Sequence, residues 1–364
     1  MGNPPTTFAS KPPKTPAPAS GAATDGVLLL NLGGPETLAD VRPFLYRLFS
    51  DPEIIRIKNA AARRALAWAV SRLRAEKSRG LYRQIGGGSP LRRITEAQGE
   101  ALAAKLTELG TPARVYVGML CWKPFIDEAL FERILSDGVS RLCALPLFPQ
   151  YSDTTTGACL RRVRERAAGL AARRGPSWKI AISPVREWYG NPLYVEAMAD
   201  LVEAGLERFP GAGRGGEAPH IFYSAHSLPE KYVAAGDPYL DQVKDCVTRI
   251  NGELGERLSA RGVPMPGCSL GFQSKVGPVK WLSPSAEDVL RDLARRGAKR
   301  VLAVPVSFVS DHVETLQELD IAYKNSAAEL GIAEFRRAAA PNLHPRFIAA
   351  LADVVRKALP APCA

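Results

Sequence analysis

The chain has 364 residues, 46% of them hydrophobic, enough to bury a substantial core and by length to form two domains. No apolar run approaches the ~20 residues needed to span a bilayer, and the first residues lack the basic-then-apolar order of a secretory signal, which points to the cytoplasm. The net charge of +11 raises nucleic acid as a partner, but Asp and Glu are interleaved and no nucleic-acid-binding signature occurs; an anionic membrane surface or small molecule fits the charge at least as well.

Residues 1–25, rich in Pro, Ala, Ser and Thr, can bury too little surface to offset their conformational entropy and are expected to be disordered. Beyond them, apolar β-branched runs alternate with segments of helical period. Strands are predicted at Gly26–Asn31, Arg114–Met119, Arg141–Leu147 and Lys179–Ser183, then at His220–Ser224, Cys268–Phe272 and Arg300–Ser307. Helices are predicted over Leu38–Phe49, Arg92–Leu109, Phe125–Ser136, Thr156–Arg173 and Leu193–Arg208. They continue with Pro238–Ser259, Ala286–Arg296, Val313–Leu330 and Pro345–Leu359. Phe209–Pro219, rich in Gly and Pro, reads as a loop. The repeated strand, turn and helix argue an α/β fold of two similar domains, residues 26–191 and 192–360, with a cleft between them.

Two loops are glycine-rich, Asn31–Thr37 and Gly86–Pro90. Neither has the spacing of a dinucleotide fingerprint or a P-loop, so neither should bind a nucleotide, and plain turn chemistry would also account for them. Residues 56–83 carry Arg56, Lys58, Arg63, Arg64, Arg72, Arg74, Lys77, Arg79 and Arg83, with Leu66, Val70 and Leu73 at i, i+4 and i+7 and Trp68 nearby. Such a basic amphipathic helix can lie on an anionic bilayer, hold the carboxylates of an apolar ligand, or simply pack by its apolar stripe.

Only four histidines occur, and two of them, His226 and His312, sit where a β run gives way to a polar turn. Open α/β sheets bind ligands there, at the carboxyl ends of strands. Each alone could be a helix cap; two with carboxylates alongside point to function. Asp311, Glu314 and Glu318 fall at i, i+3 and i+7, on one helical face leading from His312. Imidazole with carboxylate suits a borderline divalent metal such as iron(II). The helix macrodipole would also favour Asp311 and Glu314, but explains neither histidine. The six cysteines are scattered, with no Cys-x-x-Cys pair, and read as reduced thiols.

The motifs Asn31–Thr37, Tyr82–Pro90, Phe148–Ser152, Ser224–Pro229, Gly236–Tyr239, Gln273–Pro278 with Trp281, and Phe308–Asp320, in that order, resemble those of ferrochelatases, from about Gly26 to Lys357. The resemblance implies two Rossmann-like, doubly wound domains of chelatase type, residues 54–90 as a porphyrin mouth, and a last helix packing back on the first domain. It implies insertion of Fe²⁺ into protoporphyrin IX with loss of two pyrrole protons, iron being a substrate and no cofactor being required. By motif, His226 corresponds to the active-site histidine and Glu314 to the carboxylate facing it, both also on the metal. His312, Asp311 and Glu318 fall on the metal path. Tyr82, Ser89, Arg74 and Lys77 align with residues at the mouth that hold propionates, and Leu32, Phe308 and Trp281 with apolar walls. Leu120 and Cys121 stand where many relatives carry Arg-Tyr, and Cys363 stands alone where some relatives gather cysteines, so an iron-sulfur cluster is not expected. Two alternatives remain at this point: a coproporphyrin ferrochelatase and a non-catalytic porphyrin or haem carrier.

Overall fold

The computed structural model describes residues 24–360 except 53, 54, 56, 211–217, 276 and 278. In its first half β1 (Thr24–Asn31), α1 (Val41–Ser50), α2 (Ala60–Gln84), α3 (Leu91–Glu108), β2 (Ala113–Met119), α4 (Glu128–Ser136), β3 (Val139–Pro146), α5 (Ala158–Arg174) and β4 (Ala181–Pro184) build a parallel sheet of order β2-β1-β3-β4. After α6 (Pro192–Glu207), the second half repeats that order as β6-β5-β7-β8. Its elements are β5 (His220–His226), α7 (Glu230–Ala234), α8 (Tyr239–Ala260), β6 (Cys268–Gln273), α9 (Ala286–Arg295), β7 (Arg300–Pro305), a π-helical turn at Glu314–Tyr323, α10 (Lys324–Glu329), β8 (Glu334–Arg337) and α11 (Pro345–Ala358). In each sheet the first strand is paired on both sides and the connections leave it in opposite directions, which opens a crevice at its carboxyl end. The central strands are accordingly apolar on both faces: Val27 to Leu30 and Ile221 to Tyr223 are fully buried.

Several expectations need correction. Thr24 and Asp25, expected in a disordered tail, instead open β1, and the Asp25 carboxylate accepts two hydrogen bonds from Arg141, at 2.7 and 2.6 Å; the rest of that expected tail, residues 1–23, lies outside the described residues. The expected helix from Val313 starts as a wider i→i+5 turn and is α-helical only from Lys324. β8 was not predicted, since Glu-Phe-Arg-Arg has one apolar residue. It is an edge strand, tied to β7 by Arg300 and Glu334 at 2.9 Å. Of the apolar stripe of the basic helix only Val70 packs inward, partly buried against the core of the first half. α2 buries Ala67, Ser71 and Ala75, small residues that permit close approach to α1, together with Tyr82 at its end, and leaves Leu66, Trp68 and Leu73 exposed. Arg56 lies outside the described residues.

The two halves share one core. α11 packs on α3, α6 and β3, so that Leu102 and Leu106 meet the cluster containing Leu351 and Val355. Buried Gln98 of α3 donates from Nε2 to Ser310 Oγ (2.9 Å) and to the Asn342 carbonyl (3.0 Å), anchoring the loop after β7 to the first half. Among the described residues no helix is long and apolar enough to cross a membrane.

Candidate active site

His226 is the last residue of β5, at the crevice of the second sheet. Its backbone is held from two sides: its N–H donates to Ser307 Oγ and its carbonyl accepts from Tyr239 Oη, both at 2.9 Å. The ring meets Glu314, the first residue of the π-helical turn, with 2.9 Å between Nδ1 and Oε2. With Nδ1–H donated to that carboxylate, Nε2 carries the lone pair, and it has no partner among the described residues. Phe308 packs its edge near both histidines, with ring centroids 4.8 Å from His312 and 6.4 Å from His226.

Glu318 lies one π turn beyond Glu314 and shares its face. Its Oε2 accepts hydrogen bonds from Ser274 Oγ (2.7 Å) and Gln273 Nε2 (3.0 Å). His312 donates through Nδ1 to the Ser310 carbonyl (3.0 Å) and turns Nε2 to within 3.9 Å of Glu314 Oε2. The structure therefore brings His226, His312, Glu314 and Glu318 together. Asp311 is not among them. It precedes the helical turn, and its carboxylate is taken by Arg337 (3.0 Å), Asn342 (2.8 Å) and Thr315 (2.9 Å), so the expected three-carboxylate stripe reduces to Glu314 and Glu318.

The charges are strongly coupled. Burial disfavours the charged form of His226, but the adjoining Glu314 carboxylate, its hydrogen bond and Glu318 together hold the imidazole above its ordinary value. Burial likewise opposes ionisation of Glu314, and the two imidazoles, His226 first, overcome it and hold its carboxyl well below the usual range. Glu318 goes the other way, raised by burial and by the negative charge of Glu314. Two carboxylates sharing one face cannot both ionise freely, and the one with the imidazole partner keeps the charge.

The remaining candidates are distributed as follows. Tyr82, at the end of α2, is buried, and its hydroxyl is raised by burial and by Glu314, which puts the end of α2 within electrostatic reach of the pair. Nearby, Gln317 of the π turn donates to Gln84 Oε1 at 3.2 Å. Arg74 stacks over Phe49, 5.8 Å from its centroid, and Lys77 is exposed. Ser89 is buried where the two glycine-rich loops meet: its N–H donates to the Pro35 carbonyl (2.7 Å) and its Oγ accepts from Leu91 N. Gly88 permits that junction, since a Cβ there would lie 2.0 Å from the Glu36 carbonyl oxygen. Leu32 and Trp281 are half-buried, and the indole N–H of Trp281 is buried without a partner among the described residues. Leu120 and Cys121 are buried behind the first loop, their N–H groups donating to the carbonyls of Asn31 and Leu32, and burial pushes the Cys121 thiol up.

A model of the ferrochelatase family matches residues 24–359. The chain belongs to the ferrochelatase family. It is 48% identical to the ferrochelatase of Gloeothece citriformis over 337 residues, covering 92% of this chain and 82% of that one. It is also 48% identical to the ferrochelatase of Synechococcus elongatus over 338 residues, covering 93% and 83%. In fold it is similar to SirB from Bacillus subtilis with Fe³⁺, at a TM-score of 0.52 and 16% identity over 92% of this chain and 95% of that one. The family's reaction is insertion of Fe²⁺ into a porphyrin in haem synthesis, and the chain is a lyase of that kind.

Four residues that shape the ferrochelatase site, Ser307, Tyr239, Gln273 and Ser274, carry no candidate role in the sequence. Gln273 was findable by position, since it ends β6 level with His226 on β5. The other three act through single hydrogen bonds between distant segments, which no spacing signals.

Proposed function

We propose that the porphyrin is protoporphyrin IX, that His226 is the base for the pyrrole protons, and that Glu314 orients it and meets the iron. The observation that carries the assignment is the 2.9 Å pair between His226 Nδ1 and Glu314 Oε2 at the crevice of the second sheet. Metallation breaks two pyrrole N–H bonds, leaving the electron pairs on nitrogen to bind Fe²⁺. A neutral imidazole with Nε2 unoccupied takes the first proton, and the imidazolium so formed is stabilised by the carboxylate on its other nitrogen; the ring, 41% exposed, then gives that proton to water and is free to take the second. Glu318 and His312 line the route of the metal. Glu314 and Glu318 supply the oxygen donors a divalent ion requires, without thiolates that would retain it.

Arg74 and Lys77 hold the propionates at the mouth beside Tyr82, and Leu32, Phe308 and Trp281 form apolar walls. Ser89 shapes the mouth from behind. The choice of protoporphyrin over the four-carboxylate coproporphyrin is supported by the apolar side chains that α2 offers to solvent, Leu73 being 83% exposed. The same face, with Trp68 53% exposed under Arg72, supports peripheral contact with an anionic membrane from the cytoplasmic side. No iron-sulfur cluster enters this scheme. The test is anaerobic incubation with Fe²⁺ and each porphyrin, following loss of porphyrin fluorescence. Preferential turnover of coproporphyrin overturns the substrate assignment, and binding without turnover would return the chain to a carrier.

A further inference from the structure

Gln273 and Ser274, at the carboxyl end of β6, take no part in the steps above. Gln273 is 1% exposed, and its Oε1 accepts the hydroxyl proton of fully buried Ser224, which fixes the direction of the amide. Nε2 is thereby aimed at the Glu314 carbonyl, 2.9 Å away, and at Glu318 Oε2, 3.0 Å away. Ser274 Oγ donates to that same Glu318 oxygen at 2.7 Å.

Ser274 does so from a backbone φ of +67°, a left-handed conformation that a residue with a Cβ adopts at a cost and glycine adopts freely. A serine in a glycine conformation, with its hydroxyl on a half-buried carboxylate, points to a use for the hydroxyl. A glutamate stem is otherwise free to change rotamer, and two donors converging on one oxygen remove that freedom.

We propose that Gln273 and Ser274 are positioning residues, a two-donor cradle that holds the Glu318 carboxylate beside the His226–Glu314 pair, where it receives the divalent metal before transfer to the porphyrin. Ser224 keeps the cradle in register. The inference rests on the reading of Glu318 as part of the metal route. Its mark is selectivity: loss of a donor impairs use of the metal and leaves porphyrin binding alone.

Ser274→Gly tests it, because the change removes the hydroxyl while relieving the backbone. Rates are measured with Zn²⁺, which needs no reductant, and with the porphyrin that the wild type metallates. The expected result is a melting temperature no lower than wild type, an unchanged porphyrin Kd, and a KM for Zn²⁺ raised roughly tenfold, the size of a lost charge-assisted hydrogen bond. Ser274→Ala, which retains the strain, should give the same KM for Zn²⁺. Adding Gln273→Leu to Ser274→Gly should raise that KM by less than the two single effects together, since both donors serve one oxygen. A wild-type KM for Zn²⁺ in Ser274→Gly overturns the cradle, and so does an equal rise in the porphyrin Kd, the mark of a merely structural role. A wild type that prefers coproporphyrin overturns the substrate assignment and leaves the zinc comparison intact.

Discussion

Replacing Glu314 with Gln keeps the shape of the side chain and removes the charge beside His226. Unit charges 4 Å apart attract by about 4 kcal/mol at an effective dielectric of about 20 and by about 1 kcal/mol in water. The His226 side chain is 41% exposed and that of Glu314 19%, so screening by solvent favours the lower part of this range, about 1–2 kcal/mol, or about one pH unit on the imidazole. In the proposed role, only the neutral imidazole of His226 can accept a pyrrole proton. In the wild type, kcat/KM should therefore fall as pH drops through a pKa above the ordinary 6.5. In Glu314→Gln that acidic limb should move down by about one unit, while the plateau falls because the metal has lost a carboxylate. The stability effect has a definite window. A raised imidazole pKa contributes stability that is full below 6.5 and is lost as pH rises through the raised value, and a lowered carboxyl pKa contributes stability that is full above 4.5 and is lost well below it. The melting-temperature gap between wild type and variant should be widest between those two values and close at alkaline pH. Initial rates from porphyrin fluorescence across the imidazole range, with thermal melts in the same buffers, measure both. An acidic limb that stays in place or moves up refutes the pairing as the source of the shift.

His226→Ala should abolish metallation and leave porphyrin Kd within roughly tenfold, because the imidazole handles a proton and contributes little to holding an apolar disc; more than about a tenth of wild-type kcat would remove it from the role of base. Binding of anionic liposomes should weaken as salt shortens the screening length below about 8 Å, and Trp68→Glu should weaken it further; equal cosedimentation of the two proteins would leave the exposed face of α2 to the porphyrin mouth alone. Protein purified anaerobically should lack charge-transfer absorption and acid-labile sulfide, since Cys121, Cys143, Cys159 and Cys246 are buried with thiols pushed up by burial, opposite to what thiolate ligands need. Sulfide near stoichiometric with the chain would contradict it.

The elements that carry the site were legible wherever a strand is buried on both faces. Val27 to Leu30 and Ile221 to Tyr223 are continuous apolar runs because helices cover both sides of each sheet, and that requirement is written directly into composition. From the same runs follow the ends of the strands, and hence the candidacy of His226 and His312. β8 escaped notice because an edge strand needs little burial, and the π turn did because Glu314–Tyr323 has the apolar spacing of an ordinary helix. Whether a helix winds by i→i+4 or i→i+5 depends on what its side chains must meet. Tertiary structure alone decided that Asp311 faces Arg337 while Glu314 faces His226, and that Leu66 and Leu73 point outward because Ala67, Ser71 and Ala75 give α1 the closer approach. Partners 88 residues apart in the chain, such as His226 and Glu314, are joined only when two strand ends open into the same crevice. Periodicity determines which face of an element is buried, while the partner of each polar side chain is a matter of distances between segments that sequence order does not encode.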